Sequence, residues 1–243
     1  MVSWRQLTLV GVVVAMALVL AGCGGGDDAV EDFGDGPRLA TDATVLQAES
    51  AAAMGEVTSV EFQLSRTGAP VFVDPAGSIV IDLINGRFSA PGSADAILAV
   101  TVNESLKTEL GAVAIDEEVW LSNPVTGRFE TLPPGFDLDP SAFFDPKGGW
   151  QPLIEDLQDV VFVEEQADGR FYLTGTAPAE RMTAITAGLV RGQDVDLDLW
   201  LNPVTAEVVA IEFSTDFDGE TSEWVLGLTG YGNQFDISAP EEE

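Results

Sequence analysis

In the segment Asp194-Val-Asp-Leu-Asp-Leu-Trp-Leu201, Val195, Leu197, Leu199 and Leu201 alternate with Asp194, Asp196, Asp198 and Trp200. A period of two suits only an extended strand with one dry and one wet side. The same alternation sets Val60, Phe62 and Leu64 against Glu61, Gln63 and Ser65. Ile79, Ile81 and Leu83 head a further strand, which Asn85-Gly86 is expected to end as a hairpin turn. Apolar stretches at 95–105 and 109–116 add two more strands. Trp120-Leu-Ser-Asn-Pro-Val-Thr-Gly127 then reads as strand, turn and returning strand, and Trp200-Leu-Asn-Pro-Val-Thr205 is a near copy, one residue out of register.

Helical patterns interrupt this series in three places. Residues 41–55 are rich in alanine, with Asp42 placed as an N-cap. After Leu132-Pro-Pro-Gly135, which forbids regular structure, Asp139-Pro-Ser141 opens a short helical turn carrying Phe143 and Phe144. Trp150, Leu153, Ile154 and Leu157 follow the spacing of one helix face. Strands return at 159–164 and 170–176. Pro178 is expected to begin a helix with Met182, Ile185 and Leu189 on one side. Strands over 194–201, 207–215 and 222–231 complete the chain. Strand and helix do not alternate regularly, so parallel crossover units are excluded. The fold class is α+β, an antiparallel sheet with helices on one face.

The N-terminus belongs to a different kind of segment. Arg5 precedes an uncharged apolar run, Leu7 to Ala21. That length suits the core of an export signal and is short of the about 20 residues that span a bilayer. The run ends in Leu20-Ala-Gly-Cys23, which resembles the lipobox of bacterial lipoproteins, and Cys23 is the only cysteine. The domain organisation read from this is a signal peptide over 1–22, a lipidated Cys23 with an acidic tether over 23–38, and one folded domain over 39–243. A Gly- and Asp-rich tether of that length has an end-to-end spread of roughly 20 Å. The expected location is the extracytoplasmic face of the plasma membrane, held there by lipid.

With 41 acidic and 10 basic residues the net charge is −31, which repels nucleic acid and anionic head groups. The chain has no histidine, and Cys23 is committed to the anchor, so histidine triads, thiolate sites and zinc or haem ligation are excluded. The carboxylates of Asp194, Asp196 and Asp198 lie about 7 Å apart along one strand face, a solvated spacing. Asp216-Phe-Asp-Gly-Glu220 begins like a calcium loop, lacks the later bidentate Glu, and reads as a hairpin turn. No metal site, cofactor or catalytic residue is assigned, and the chain is read as a non-enzyme.

On pattern alone the apolar helix stripes read as ordinary core. Several further features narrow this. Arg87-Phe88 stands near a strand end before Ala90-Pro91, and Trp120…Pro124-x-Thr126-Gly127 is answered by Trp200…Pro203-x-Thr205. Phe143-Phe-Asp-Pro146 precedes Gly149, Leu153-Ile154 and Leu157. Gly169…Tyr172…Gly175 and Trp224…Tyr231 before Ile237…Pro240 complete the set. In order and spacing, with the lipobox and the early Ala-rich helix, the chain resembles the LppX/LprA/LprF/LprG family of actinobacterial lipoproteins.

The resemblance implies a strongly curved antiparallel sheet, a half-barrel similar to LolA and LolB, with helices covering its concave face. It implies a carrier of a multi-acyl lipid or glycolipid, held by its tails in an apolar cavity and moved across the cell envelope. The candidate lining is Phe62, Leu64, Ile81, Leu83, Phe88, Phe143, Leu153, Ile154, Leu157, Met182, Ile185, Leu189, Leu197 and Leu199. A membrane transporter is a further partner under this reading. The rival reading is a surface lipoprotein that carries nothing and docks a transporter or wall enzyme through its acidic face.

Overall fold

The computed structural model describes residues 33, 35–74, 76–103, 105–116, 118–124, 126–132, 139–186, 190–217 and 219–240. The export signal, Cys23, most of the tether and Leu189 lie outside the described residues.

Helix α1 (Ala43–Gly55) is followed by β1 (Ser59–Gly68), β2 (Ile79–Ser89), β3 (Ser93–Val102), β4 (Leu106–Ile115), β5 (Glu118–Ser122) and β6 (Phe129–Thr131). A 3-10 turn (Ala142–Phe144), α2 (Trp150–Glu155), β7 (Gln158–Glu165), β8 (Phe171–Ala177) and α3 (Ala179–Ile185) come next. Then follow β9 (Val195–Leu201), β10 (Val208–Phe217) and β11 (Glu220–Thr229). Asp42 caps α1 as expected, its Oδ1 accepting from the Val45 N–H at 3.0 Å. Pro178 caps α3 rather than beginning it.

Among the described residues the strands form one open sheet in the order β6-β5-β4-β3-β2-β1-β11-β10-β9-β8-β7. Every neighbouring pair is antiparallel. The order has a mechanical consequence. Strands β6 and β7 are consecutive in the chain but occupy opposite edges, so the segment joining them must traverse the sheet. At about 4.8 Å per strand gap that traverse is roughly 48 Å along the sheet. The described part of that segment, the helical insert from Asp139, carries Phe143, Phe144 and α2 over one face.

On that face the helices and the sheet share a single core. Leu46 and Met54 of α1, Trp150, Leu153 and Ile154 of α2, and Met182 and Ile185 of α3 pack in one cluster with the even-numbered residues of β1 and β11. The Gln47 amide of α1 donates to the carbonyls of Ile154 at 2.9 Å and Leu157 at 3.0 Å, satisfying acceptors at the end of α2.

Two strand readings are corrected here. Asn85-Gly86 is not a turn: β2 runs on to Ser89, with Gly86 paired to Phe62 and Ala96. Glycine is there for space, because a Cβ on Gly86 would stand 2.2 Å from Cζ of Phe62. Leu83 is also displaced. A bulge between Ile81 and Leu83 shifts the alternation, so Leu83 pairs with Ser65 and Ala99 and stays outside the core cluster.

The two related turns are built alike. Asn123 N–H donates to the Arg128 carbonyl at 2.7 Å, and Asn202 N–H to that of Glu207 at 2.8 Å. Each Asn side chain then accepts from backbone N–H groups within its own turn. Gly127 and Ala206 fill the equivalent left-handed position, with φ of 72° and 61°. The Asp216–Glu220 segment is a hairpin, with β10 ending at Phe217 and β11 starting at Glu220.

The chain's two tyrosines give a test of this packing. The Tyr172 hydroxyl donates to Asp198 at 2.5 Å, and that bond, with burial, pushes its pKa up to about 12. Burial holds Tyr231, which donates to the Val208 carbonyl, well above its usual value. Ultraviolet titration of the native protein should show almost no tyrosinate near pH 10–11, where an unfolded chain ionises at about 10. Because the folded value of Tyr172 is the higher one, its stabilisation is complete below about pH 10 and disappears as pH rises through about 12. Tyr172→Phe should flatten that alkaline slope. Two tyrosines ionising together at the unfolded value would contradict the packing.

Candidate functional site

The site is built where the strand faces lose bulk. Gly86, Ala96 and Ala112 are register partners on three adjacent strands, and all three are buried. The Phe62 ring takes the space over Gly86, while the small side chains of Ala96 and Ala112 leave a hollow beneath the insert. A cavity of about 60 Å³ remains there, with Ala96, Ala112, Ile84 and Leu98 on the sheet side. Phe143 and Trp150 wall it from the insert and α2, Met182 and Ile185 from α3, and Phe213 and Trp224 from β10 and β11. Asp139, Pro140 and Thr186 are its polar or rigid border.

Aromatic contacts set the wall. Phe143 meets Phe62 edge-on with centroids 5.7 Å apart, and Phe144 stacks on Phe88 at 4.5 Å. Phe143 also stacks on Trp150 at 6.2 Å. The turn that presents them depends on Gly149, whose N–H donates to the Asp145 carbonyl at 2.7 Å. A Cβ on Gly149 would fall 2.4 Å from the Phe143 carbonyl oxygen and 2.7 Å from that of Asp145. Asp145 itself accepts from the N–H groups of Lys147 and Gly148, closing the loop. Arg181 of α3 reaches back to Asp156 at 2.6 Å and to the Lys147 carbonyl, so α3 and the insert are tied together.

One polar group in this wall is unsatisfied. The Trp150 indole N–H is buried and has no hydrogen-bond partner. Burying such a donor unpaired costs about 1–3 kcal/mol. By contrast Arg66, also buried, is fully engaged by the carbonyls of Ile81, Gly68 and Ala69 and by Asp82 at 3.0 Å. It staples the β1–β2 loop.

Of the candidate lining residues, Leu64, Ile81, Phe143, Met182 and Ile185 border the cavity. Phe62, Phe88, Leu153, Ile154, Leu157, Leu197 and Leu199 are buried in the core around it. Leu83 lies outside, and Leu189 is outside the described residues. Sequence reasoning missed Ile84, Ala96, Leu98, Ala112, Trp150, Phe213 and Trp224. The available signal was the pair of alanines at inward strand positions, which marks a hollow rather than a contact.

The residues before α1 also meet the sheet. Leu39 N–H donates to the Pro203 carbonyl at 2.8 Å, and Arg38 pairs with Glu165 at 3.0 Å while lying 5.2 Å from the Phe171 ring. Arg38 is thus held against the folded body. Among the described residues no helix is long and apolar enough to cross a membrane.

A large open antiparallel sheet with few helices that share its core, and an apolar hollow lined by residues of both, define a class of α+β protein with an internal apolar site. Within that class, the model of the LppX/LprAFG lipoproteins matches residues 42–237, and the chain belongs to this lipoprotein family. Its fold is similar to that of LprF from Mycobacterium bovis, at 16% identity and a TM-score of 0.63, over 85% of this chain and 100% of that one. It is also similar to LppX from Mycobacterium tuberculosis, at 16% identity and a TM-score of 0.55, over 81% of this chain and 100% of that one. No curated protein matches the sequence significantly.

Proposed function

We propose that this lipoprotein binds the acyl chains of a lipid or glycolipid between its sheet and helices, and carries it across the cell envelope while anchored through lipid on Cys23. The observation that supports this most is the apolar hollow opposite Ala96 and Ala112, walled by residues of α2, α3 and the insert. Family membership supports it independently. The Trp150 N–H supplies a donor that the ester or amide carbonyl of a lipid would satisfy.

The hollow of about 60 Å³ holds a few waters, far below the roughly 300 Å³ at which small-molecule sites begin. Loading a multi-acyl lipid therefore separates the layers, with the sheet acting as the wall of a half-barrel. The insert and α3, tied by Arg181, would lift as one unit. Each methylene taken from water contributes about 0.8 kcal/mol toward that opening.

A non-carrier docking module is the second reading, and the acidic strand disfavours it. Asp194 accepts from the Ala179 N–H, Asp196 from Thr176 and Asp198 from Tyr172, so these carboxylates are engaged within the fold. Native mass spectrometry separates the two. A form lacking residues 1–23, made in bacteria and purified without detergent, should carry extra mass that organic solvent extracts as lipid. A protein that is always empty ends the carrier reading.

A further inference from the structure

We infer that the sheet face turned away from the helices carries a second site, a trough for a neutral oligosaccharide. A concavity of about 720 Å³ crosses that face from β11 to β6, within the range of about 300–1,000 Å³ common for ligand sites. Its axis runs across the strands. One transverse row of register partners is Gly227, Gln63, Asn85, Ile97 and Gly111, and Phe129 of β6 closes the row by lying against Gly111. The next row is Glu61, Arg87, Asp95 and Val113. From β11 to β6 is six strand gaps, roughly 29 Å at about 4.8 Å each, which suits a linear chain rather than a compact molecule.

Gly227 points to a ligand. It sits in the middle of a central strand, its φ is not positive, and a Cβ there would meet nothing within 4 Å. Neither backbone conformation nor neighbouring atoms require glycine, and glycine weakens a strand. The register runs through it without a bulge, and the open space above it lets something outside the sheet approach the backbone closely.

The lining selects the ligand class. Gln63 donates to Asn85 at 2.7 Å, so the Gln63 carbonyl and the Asn85 NH₂ stay directed at solvent, with no partner among the described residues. Arg87 is held by Asp95, Nε to Oδ1 at 2.9 Å, so the only cation of the two rows is neutralised and a phosphate has no counter-charge. A lipid tail would strand these amides and carboxylates. A peptide would find the strand backbone already paired within the sheet. Sugar hydroxyls both donate and accept, so they match planar amides and carboxylates. The C–H faces of sugars pack on exposed rings and methyls such as Phe129, 39% exposed, and Ile97, 53% exposed. Phe235, 5.7 Å from the Arg87 guanidinium, adds an aromatic rim.

The test is 1H–15N NMR of the soluble domain with maltohexaose, mannohexaose, cellohexaose and chitohexaose at millimolar concentration. At least one should shift the amides of Gly111 and Gly227 and the side-chain amides of Gln63 and Asn85. Gly227→Leu, whose side chain enters open space, should weaken binding at least tenfold with unchanged melting temperature and unchanged lipid occupancy. Phe129→Ala should weaken it similarly. No shift with any of the four sugars overturns the assignment, as does undiminished binding by Gly227→Leu. A Gly-Ser peptide of similar length moving the same amides as strongly would make the trough a peptide groove instead.

Discussion

Ala112→Phe is expected to abolish lipid occupancy while leaving the domain folded. Ala112 lies on the sheet side of the hollow, buried and paired with Ala96 and Leu121. A phenyl ring there projects toward Met182, Ile185 and Phe143, where an acyl chain would lie. Over-packing of a core costs about 1–3 kcal/mol, and the existing void takes part of the ring, so the cost should fall at the low end. Native mass spectrometry should show the extractable mass fall by at least tenfold against the unaltered protein, with the melting transition retained. Full occupancy in the variant would place the lipid elsewhere, or mean that the layers open far enough to ignore the ring. Leu153→Trp would be a poorer probe, because Leu153 is fully buried among other side chains and the substitution would strain the core.

Gly149→Ala should have the largest effect on the insert. The added methyl has no flexible neighbour to displace: the atoms it meets are the backbone carbonyls of Phe143 and Asp145 and the Asp145 nitrogen, all within 2.8 Å. Relief requires the 3-10 turn and the start of α2 to separate. That breaks the Gly149–Asp145 hydrogen bond and withdraws Phe143 and Phe144 from Phe62 and Phe88. A destabilisation of about 1–3 kcal/mol is expected. Hydrogen exchange should localise it, with faster exchange at residues 144–154 and little change in β9 to β11. Protection unchanged in the insert would show that Gly149 is not the pivot. Comparing the two variants is informative: Ala112→Phe fills the hollow under an intact cover, and Gly149→Ala loosens the cover over an intact hollow.

The strand pattern was legible because a half-buried strand writes its burial directly into a period of two. Val195, Leu197, Leu199 and Leu201 are all buried, as their alternation with aspartates requires. The turns at Asn123 and Asn202 were legible for the same local reason, since an Asn side chain bonding its own turn needs no distant partner. Local signals failed where a neighbour from another strand decided the residue. Asn85-Gly86 has the composition of a turn, yet Phe62 of β1 requires the glycine within a strand. Leu83 falls in the expected parity, yet a bulge against β3 turns it out of the core.

Residue order determined the alternation of the strands and the helix positions, since these depend on neighbours a few positions apart, and composition determined the acidic character and the lack of histidine. Strand order, the path of the insert from one sheet edge to the other, and the meeting of Gly86, Ala96 and Ala112 beneath it were decided by tertiary structure. A hollow is bounded by residues far apart in sequence, and its existence depends on which small side chains face each other across hydrogen-bonded strands. No periodicity within one segment encodes that pairing.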